Sequence, residues 1–283
     1  MSRNTMFDRS SDYRGGESMS KKLERHEVFE TSGPGNARVT TASGDVTIGA
    51  SESNVIEVTL SVRDPAYQRM LDEAVIEFDR LKNTLVVRTR THDNLNSMRG
   101  FTAAIRRGTW FGSDPEVHIA LPEGSSVEVT TASGDTAIIG RLAKASVTSA
   151  SGNVTIADEV GVLEMKTASG DVTTATVRES LTCHSASGNV RCDGAGTSTK
   201  IRTASGNIRL SVDVPSEISV RTVSGNVAVS VARGLEVDVD ATSVSGQLTS
   251  TMPLDGTSGG SRKDAVSISA KTVSGDVKVS SAS

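Results

Sequence analysis

A Ser-Gly pair followed by Asp or Asn returns again and again along this 283-residue chain, and its spacing limits the fold more than any other feature. The anchoring serines are Ser43, Ser133, Ser151, Ser169, Ser187, Ser205, Ser224, Ser245 and Ser274. From Ser133 onward the steps are 18, 18, 18, 18, 19, 21 and 29 residues. A fixed period near 20 residues marks a stack of repeated supersecondary units, in which each unit buries its apolar face only against its neighbours. The last step is one period plus 11 residues, and the surplus falls in 253–265, which reads as a loop pushed out between two rungs.

The columns around each anchor define the rung. Six residues before it stand Val127, Ala145, Leu163, Leu181, Thr199, Ile218, Val239 and Ile268. Four before stand Val129, Val147, Met165, Cys183, Ile201, Val220, Ala241 and Ala270. Two before, every repeat has Thr or Ser, and the columns between read as polar or charged. This is the two-residue period of a strand with one buried face. After the turn, apolar residues return at positions +3 and +5, as in Val190 and Cys192 or Ile208 and Leu210. Each rung therefore has two short strands bent at Ser-Gly. Glycine supplies the positive φ of the bend, and Asp or Asn tolerates a left-handed corner and hydrogen-bonds nearby backbone. The Thr or Ser two before the anchor is expected to satisfy a turn amide.

The fold class that follows is all-β: a single-stranded β-solenoid, or β-helix, with rungs of about 18 residues, right-handed by the default of parallel crossovers. Aromatic residues are only 3% of the chain, which fits a thin core of small and β-branched side chains. Residues 1–25 read as a disordered tail and 26–283 as the solenoid domain, with regular rungs over 125–283 and an array that starts near Val28. The first third, 51–124, breaks the period. It reads as partly antiparallel strands that cap one end, at Val55–Val62, Ala74–Phe78, Leu85–Thr91 and Glu116–Leu121. Asp64 and Pro65 predict a short helix reaching about Asp72.

With these columns in view, the chain resembles the bacterial putative-adhesin, or toastrack, domain of unknown function. The residues that carry the resemblance are FETSGP at 29–34, SGDVTI at 43–48, LPEGSSVEVTTASGD at 121–135 and the later SGN and SGD rungs. The resemblance implies a β-solenoid-like fold and a non-enzymatic role in adhesion, at the cell envelope or in envelope-stress signalling. It brings no catalytic residues.

The residues themselves point the same way. Asp135, Asp171 and Asp276 share a corner column but alternate with Asn, so they read as a stabilising ladder rather than as catalytic carboxylates or a calcium site. The anchor serines have no base at a recognisable spacing, so no catalytic, cofactor or metal residues are assigned. Cys183 and Cys192 occupy core columns as small hydrophobes, and alternation turns His184 away from them.

Two groups remain as partner-binding candidates. Lys166, His184, Arg202 and Arg221 stand three before the anchor on consecutive rungs, an outward cation ladder with Glu164 placed to offset Lys166. The segment 99–114 carries Trp110, Phe111, Arg106 and Arg107, residue types common at binding hot spots, and reads as a docking loop or as a flap that plugs the solenoid end. The partner so implied is a protein or an anionic envelope polymer. A net charge of −4 gives no reason to expect nucleic acid. Homo-oligomers fit the stacked architecture. The absence of a signal-like run or of about 20 consecutive apolar residues predicts a cytoplasmic protein without a transmembrane segment. The expected function is a structural or interaction scaffold. A self-assembling filament of bactofilin type is the alternative, and a carbohydrate-active β-helix enzyme is the weakest reading.

Overall fold

The computed structural model describes residues 23–64, 67–89, 115–252 and 265–282. Each rung bends at its Ser-Gly corner into two limbs, and each limb hydrogen-bonds in parallel to the same limb of the next rung. In the limb before the corner, Leu163 lies opposite Leu181, Leu181 opposite Thr199 and Thr199 opposite Ile218. In the limb after it, Val172 lies opposite Val190 and Val190 opposite Ile208. The inward columns form one continuous core in which Leu163, Leu181, Ile201 and Ile208 are fully buried. Burial of such a side chain stabilises by roughly 1.5–3 kcal/mol, and each rung relies on its neighbours for it.

The order of rungs in space departs from their order in the chain at both ends. The Ser43 rung, Asn36–Thr40 and Val46–Ser51, lies between the Ser133 rung on one side and the strands Thr84–Arg88 and Glu116–Pro122 on the other. The Ser274 rung, Ala265–Ser274 and Val277–Ser281, lies between the Ser224 and Ser245 rungs. The 29-residue step is therefore a connection that returns past one rung position, not a plain bulge between two successive rungs.

The sequences of the two rungs explain this exchange. The Ser274 rung buries Val266, Ile268, Ala270, Val277 and Val279 almost completely. The Ser245 rung offers Val237, Val239, Ala241, Ser243 and Leu248 to the core side and carries Glu236, Asp238 and Asp240. The more apolar rung takes the inner position. The acidic one takes the edge, where charge discourages pairing with another sheet.

The opposite end is capped. Leu23–Glu30 pairs antiparallel with Val55–Val62, which pairs antiparallel with Glu116–Pro122; Val75–Asp79 pairs antiparallel with Thr84–Arg88. Val28 thus belongs to an antiparallel capping strand, and the first parallel rung begins at Asn36. Phe29 and Phe78 meet with ring centroids 5.1 Å apart. The guanidinium of Arg25 donates to the carbonyl oxygens of Leu71 (3.1 Å) and Ala74 (2.7 Å), tying down the end of the single described helix, Gln68–Glu73. That helix starts later than the Asp64–Pro65 signal predicts, with Tyr67 at its N-cap and no side-chain cap bond. No aromatic residue occurs after Phe111, so the regular rungs are filled by aliphatic side chains, Met165, the two cysteines and buried threonines such as Thr174 and Thr199.

Candidate functional site

The corner fixes the geometry from which the outward side chains project. At Gly188 φ is +130°, and a Cβ there would strike the backbone carbonyl of Gly170 on the rung below. Only glycine permits this approach. The corner Asp and Asn residues are not left-handed: the one described non-glycine residue with positive φ is Asn83. Their side chains instead reach along the stack. Asp171 Oδ1 accepts from the amide of Asn189 (2.7 Å), Asn189 Oδ1 from that of Asn207 (3.0 Å), and Asn207 Oδ1 from that of Asn226 (3.0 Å).

The Thr or Ser two before the anchor also behaves differently from expectation. On most rungs its hydroxyl donates to the anchor carbonyl, as in Ser149 to Ser151 (3.0 Å) and Thr203 to Ser205 (3.1 Å); Ser243 donates instead to the Gly275 carbonyl (3.1 Å), and the buried hydroxyls of Thr222 and Thr272 have no hydrogen-bond partner among the described residues. The turn amides are already served by the Asp and Asn side chains and by backbone carbonyls of the neighbouring rung, so the hydroxyl adds a second bond to a carbonyl such as that of Ser205, which already accepts from the amide of Gly188 at 3.2 Å.

This regularity holds the outward column three before the anchor in strict register. Lys166 is the Cα partner of His184, His184 of Arg202, Arg202 of Arg221, and Arg221 of Lys271. The ladder thus contains the four predicted residues and a fifth, Lys271. Lys271 joins it only because the Ser274 rung lies directly against the Ser224 rung. Lys166, Arg202, Arg221 and Lys271 are exposed and His184 is half-buried. Glu164 does not offset Lys166; it pairs with Lys144 at 2.7 Å. None of the four cations forms an ion pair with a described residue.

Beside the ladder runs an apolar strip at positions that the two-residue period assigns to polar side chains. The residue one before each anchor is Ala150, Ala168, Ala186 and Ala204 on four consecutive rungs, followed by Val223 and Val273. Val223 and Val273 are about half exposed. The strip from Ala150 to Val223 and the first three ladder positions, Lys166, His184 and Arg202, line a shallow trough of about 630 Å³, reaching from Thr148 to Val223 along the stack.

Several other charged groups are internally paired, although Lys200, Arg209 and Lys278 are exposed with no ion-pair partner among the described residues. A second hollow of about 490 Å³ contains Glu123, Arg141, Asp158 and Glu159. Arg141 binds Glu123 at 2.7 Å, Arg178 binds Glu159 at 2.6 Å, and Asp158 accepts from the amide of Gly140 at 2.7 Å. The bond and charge of Glu123 raise the pKa of the Arg141 guanidinium above its ordinary value. Arg191, next to the core cysteine, pairs with Asp193 at 2.8 Å.

Cys183 and Cys192 are buried and unbonded to each other, and burial pushes their thiols up to about 12 and about 11 respectively. Among the described residues no three His, Cys, Asp or Glu side chains converge as metal ligands, and no helix is long and apolar enough to cross a membrane. Trp110, Phe111, Arg106 and Arg107 lie outside the described residues.

A parallel stack of two-limbed rungs, capped at one end and bearing a charged, apolar-floored flank, defines a β-solenoid repeat domain. Within that class, the chain belongs to the toastrack family, Toastrack DUF4097, whose model matches residues 36–280. The chain is similar to the crystal structure of a "putative adhesin" from Parabacteroides distasonis, with a TM-score of 0.52 at 12% identity, over 93% of this chain and 98% of that one. A "putative adhesin" from Bacteroides fragilis aligns with a TM-score of 0.39 at 14% identity, over 93% of this chain and 100% of that one. No curated protein sequence matches this chain.

Proposed function

We propose that the protein is a non-enzymatic interaction scaffold whose binding face is the flank formed by the ladder and the trough, and that this face takes an anionic partner. The observation that carries this reading is the ladder from Lys166 to Lys271. It holds four exposed cations and a histidine in direct register, with no ion-pair partner among the described residues. Like charges one strand spacing apart repel, and a chain with net charge −4 has carboxylates to spare for neutralising them. Leaving them unpaired costs stability that an external anion restores. The family resemblance and the adhesin-type neighbours support a role in binding at the cell envelope, as an adhesion module or as a platform in envelope-stress signalling.

The test uses the sign of the whole protein. With its net charge of −4, the protein is expected to pass through a sulfonate resin at neutral pH unless a local patch holds it. Retention at low salt, lost in Arg202→Gln/Arg221→Gln and kept in the distant control Arg69→Gln, supports the reading. Flow-through of the wild type overturns it.

A second reading, end-to-end self-assembly, draws on the edge of the Ser245 rung. Among the described residues its two limbs pair on one side only, and Val239 and Leu248 are 37% and 51% exposed. Glu236, Asp238 and Asp240 on that edge weigh against it. Light scattering that shows growth with concentration supports assembly, and a constant monomer mass at high concentration excludes it.

A further inference from the structure

The two ends of the stack are finished differently. One carries the antiparallel capping strands. At the other, the two limbs of the Ser245 rung, Glu236–Ser245 and Leu248–Ser250, pair only with the Ser274 rung among the described residues. The core side of this rung is unfilled to match. Val239 and Leu248 are 37% and 51% exposed, whereas Ile268 and Val277, their Cα partners one rung inward, are 1% and 2% exposed. These side chains lack a further rung: a strand whose backbone pairs with the edge and whose inward side chains continue the core.

The outward side chains narrow the choice of strand. Glu236, Asp238 and Asp240 alternate with Val237, Val239 and Ala241 along the first limb. All three acids are exposed and lie opposite Ala265, Ser267 and Ser269, so the inner rung sets no cation directly against them, and none forms an ion pair with a described residue. On an added strand, the residues beside these acids and the residues over the valines also alternate. Lys or Arg in the first set and small or β-branched apolar side chains in the second meet both needs at once, because cross-strand pairs of opposite charge and of apolar groups each favour pairing.

A second copy of this chain does not supply such a strand. The free edges of its capped end expose Glu24 and Glu30 on Leu23–Glu30, and Glu77 and Asp79 on Val75–Asp79. Arg25 on the first of these is already bound to Glu27. The Ser245 edge is itself acidic, so either mode of end-to-end stacking sets acids against acids. The charges that repel those edges attract a cationic one.

We infer that the Ser245 edge is a second docking site, separate from the cationic flank, and that it takes a basic extended segment of another protein, added to the sheet as a further limb. Backbone hydrogen bonds along Glu236–Ser245 hold the segment, and the alternation of cationic and apolar side chains selects it.

The experiment is fluorescence anisotropy of labelled peptides of about eight residues, a strand's usual length, titrated with the full chain at low salt. The probe alternates lysine with valine. Three comparators test the parts of the inference: a block peptide of the same composition, an alternating serine–valine peptide, and the probe with N-methyl groups along its backbone. The probe is expected to bind, and each comparator to bind at least about tenfold more weakly. Asp238→Lys/Asp240→Lys is expected to lose probe affinity by about tenfold or more, whereas Arg202→Gln/Arg221→Gln, on the flank, leaves it unchanged. Unchanged far-ultraviolet circular dichroism shows that each variant is folded, and the comparator peptides need no variant at all. No binding of the probe by the wild-type chain, equal binding of the block or N-methylated peptide, or indifference to Asp238→Lys/Asp240→Lys overturns the inference. Probe binding that appears only after 253–264 is replaced by a glycine–serine linker assigns the edge to the chain's own segment and overturns it too. So does a dimer in sedimentation without peptide that Asp238→Lys/Asp240→Lys abolishes, which assigns the edge to a second copy.

Discussion

The backbone amide of Asn153 donates to Oδ1 of Asp135 at 2.7 Å, and Oδ1 of Asn153 in turn accepts from the amide of Asp171 at 3.0 Å. Each corner side chain thus satisfies the amide of the rung above while its own amide is satisfied by the rung below. This relay runs up the stack from Asp45, which accepts from the amide of Asp135 at 2.9 Å. It explains why the residue after Ser-Gly is Asp or Asn with one exception: the position needs a short side chain with an acceptor oxygen. The exception, Gln247, lies on the outermost rung, where its amide is served by Asp276 and no described rung follows it.

Replacement of Asn207 by Ala removes the acceptor for the amide of Asn226 and is expected to destabilise by about 1 kcal/mol, the worth of one hydrogen bond. Asn207→Asp keeps the acceptor and is expected to stay closer to wild type than the alanine variant. Urea unfolding of both variants checks this.

Gly188→Ala is expected to be far more damaging. It combines a positive φ, worth roughly 1–3 kcal/mol of strain, with a collision against the Gly170 carbonyl. Gly49→Ala, whose new Cβ would meet nothing closer than the Ile119 carbonyl at 4.0 Å, is the control and is expected to be near neutral. Thermal unfolding separates the two.

At the capped end, Arg25 bonds two carbonyls at the end of the helix and also Glu27 at 2.6 Å. Arg25→Met keeps the apolar stem and removes the donors. It is expected to loosen Gln68–Glu73 first, seen as faster amide exchange there, with a stability loss of about 1.5–3 kcal/mol for a charge-assisted contact.

The two thiols define an alkaline limb of stability. Both have folded-state values above the ordinary 9.0, so neutral Cys183 and Cys192 favour the folded state. That contribution is complete below about pH 9, where thiols are neutral in both states. It is lost as pH rises towards 11–12, because the unfolded thiols ionise first. Cys183→Ala/Cys192→Ala is expected to be less stable at pH 8 and to lose less stability than wild type between about pH 8 and about pH 10.5. The same burial predicts negligible reaction with a disulfide reagent at about pH 8 until denaturant is added, when two thiols react per chain.

Much of this was legible in the sequence. The alternation of inward columns, seen at Leu163, Met165 and Thr167, is a two-residue signal, and the 18-residue step stacks it, so the rungs, their inward residues and the Lys166–Arg221 register follow directly. What stayed hidden depends on comparisons between rungs. The Ser274 rung displaces the Ser245 rung because Val266, Ile268 and Val277 bury better than a limb bearing Asp238 and Asp240, and no period within a single repeat expresses that preference. Lys271 was missed for the same reason: in chain order Thr242 stands between it and Arg221. The alanine strip was missed because alternation treats every outward position as solvent-facing and polar. Ala186 and Val223 face outward yet line a trough.

The placement of Lys271 next to Arg221 is what turns a run of four outward residues into a five-position ladder, and it is directly measurable. In Arg221→Cys/Lys271→Cys the two Cα atoms lie one strand spacing apart, about 4.8 Å, within disulfide reach; in Arg221→Cys/Thr242→Cys they lie about twice that distance apart, beyond it. Mild oxidation followed by mass analysis of the disulfide-linked peptides is expected to show the first pair bridged and the second free. A bridge between positions 221 and 242, with 221 and 271 left as thiols, would place the Ser245 rung against the Ser224 rung and contradict the ladder.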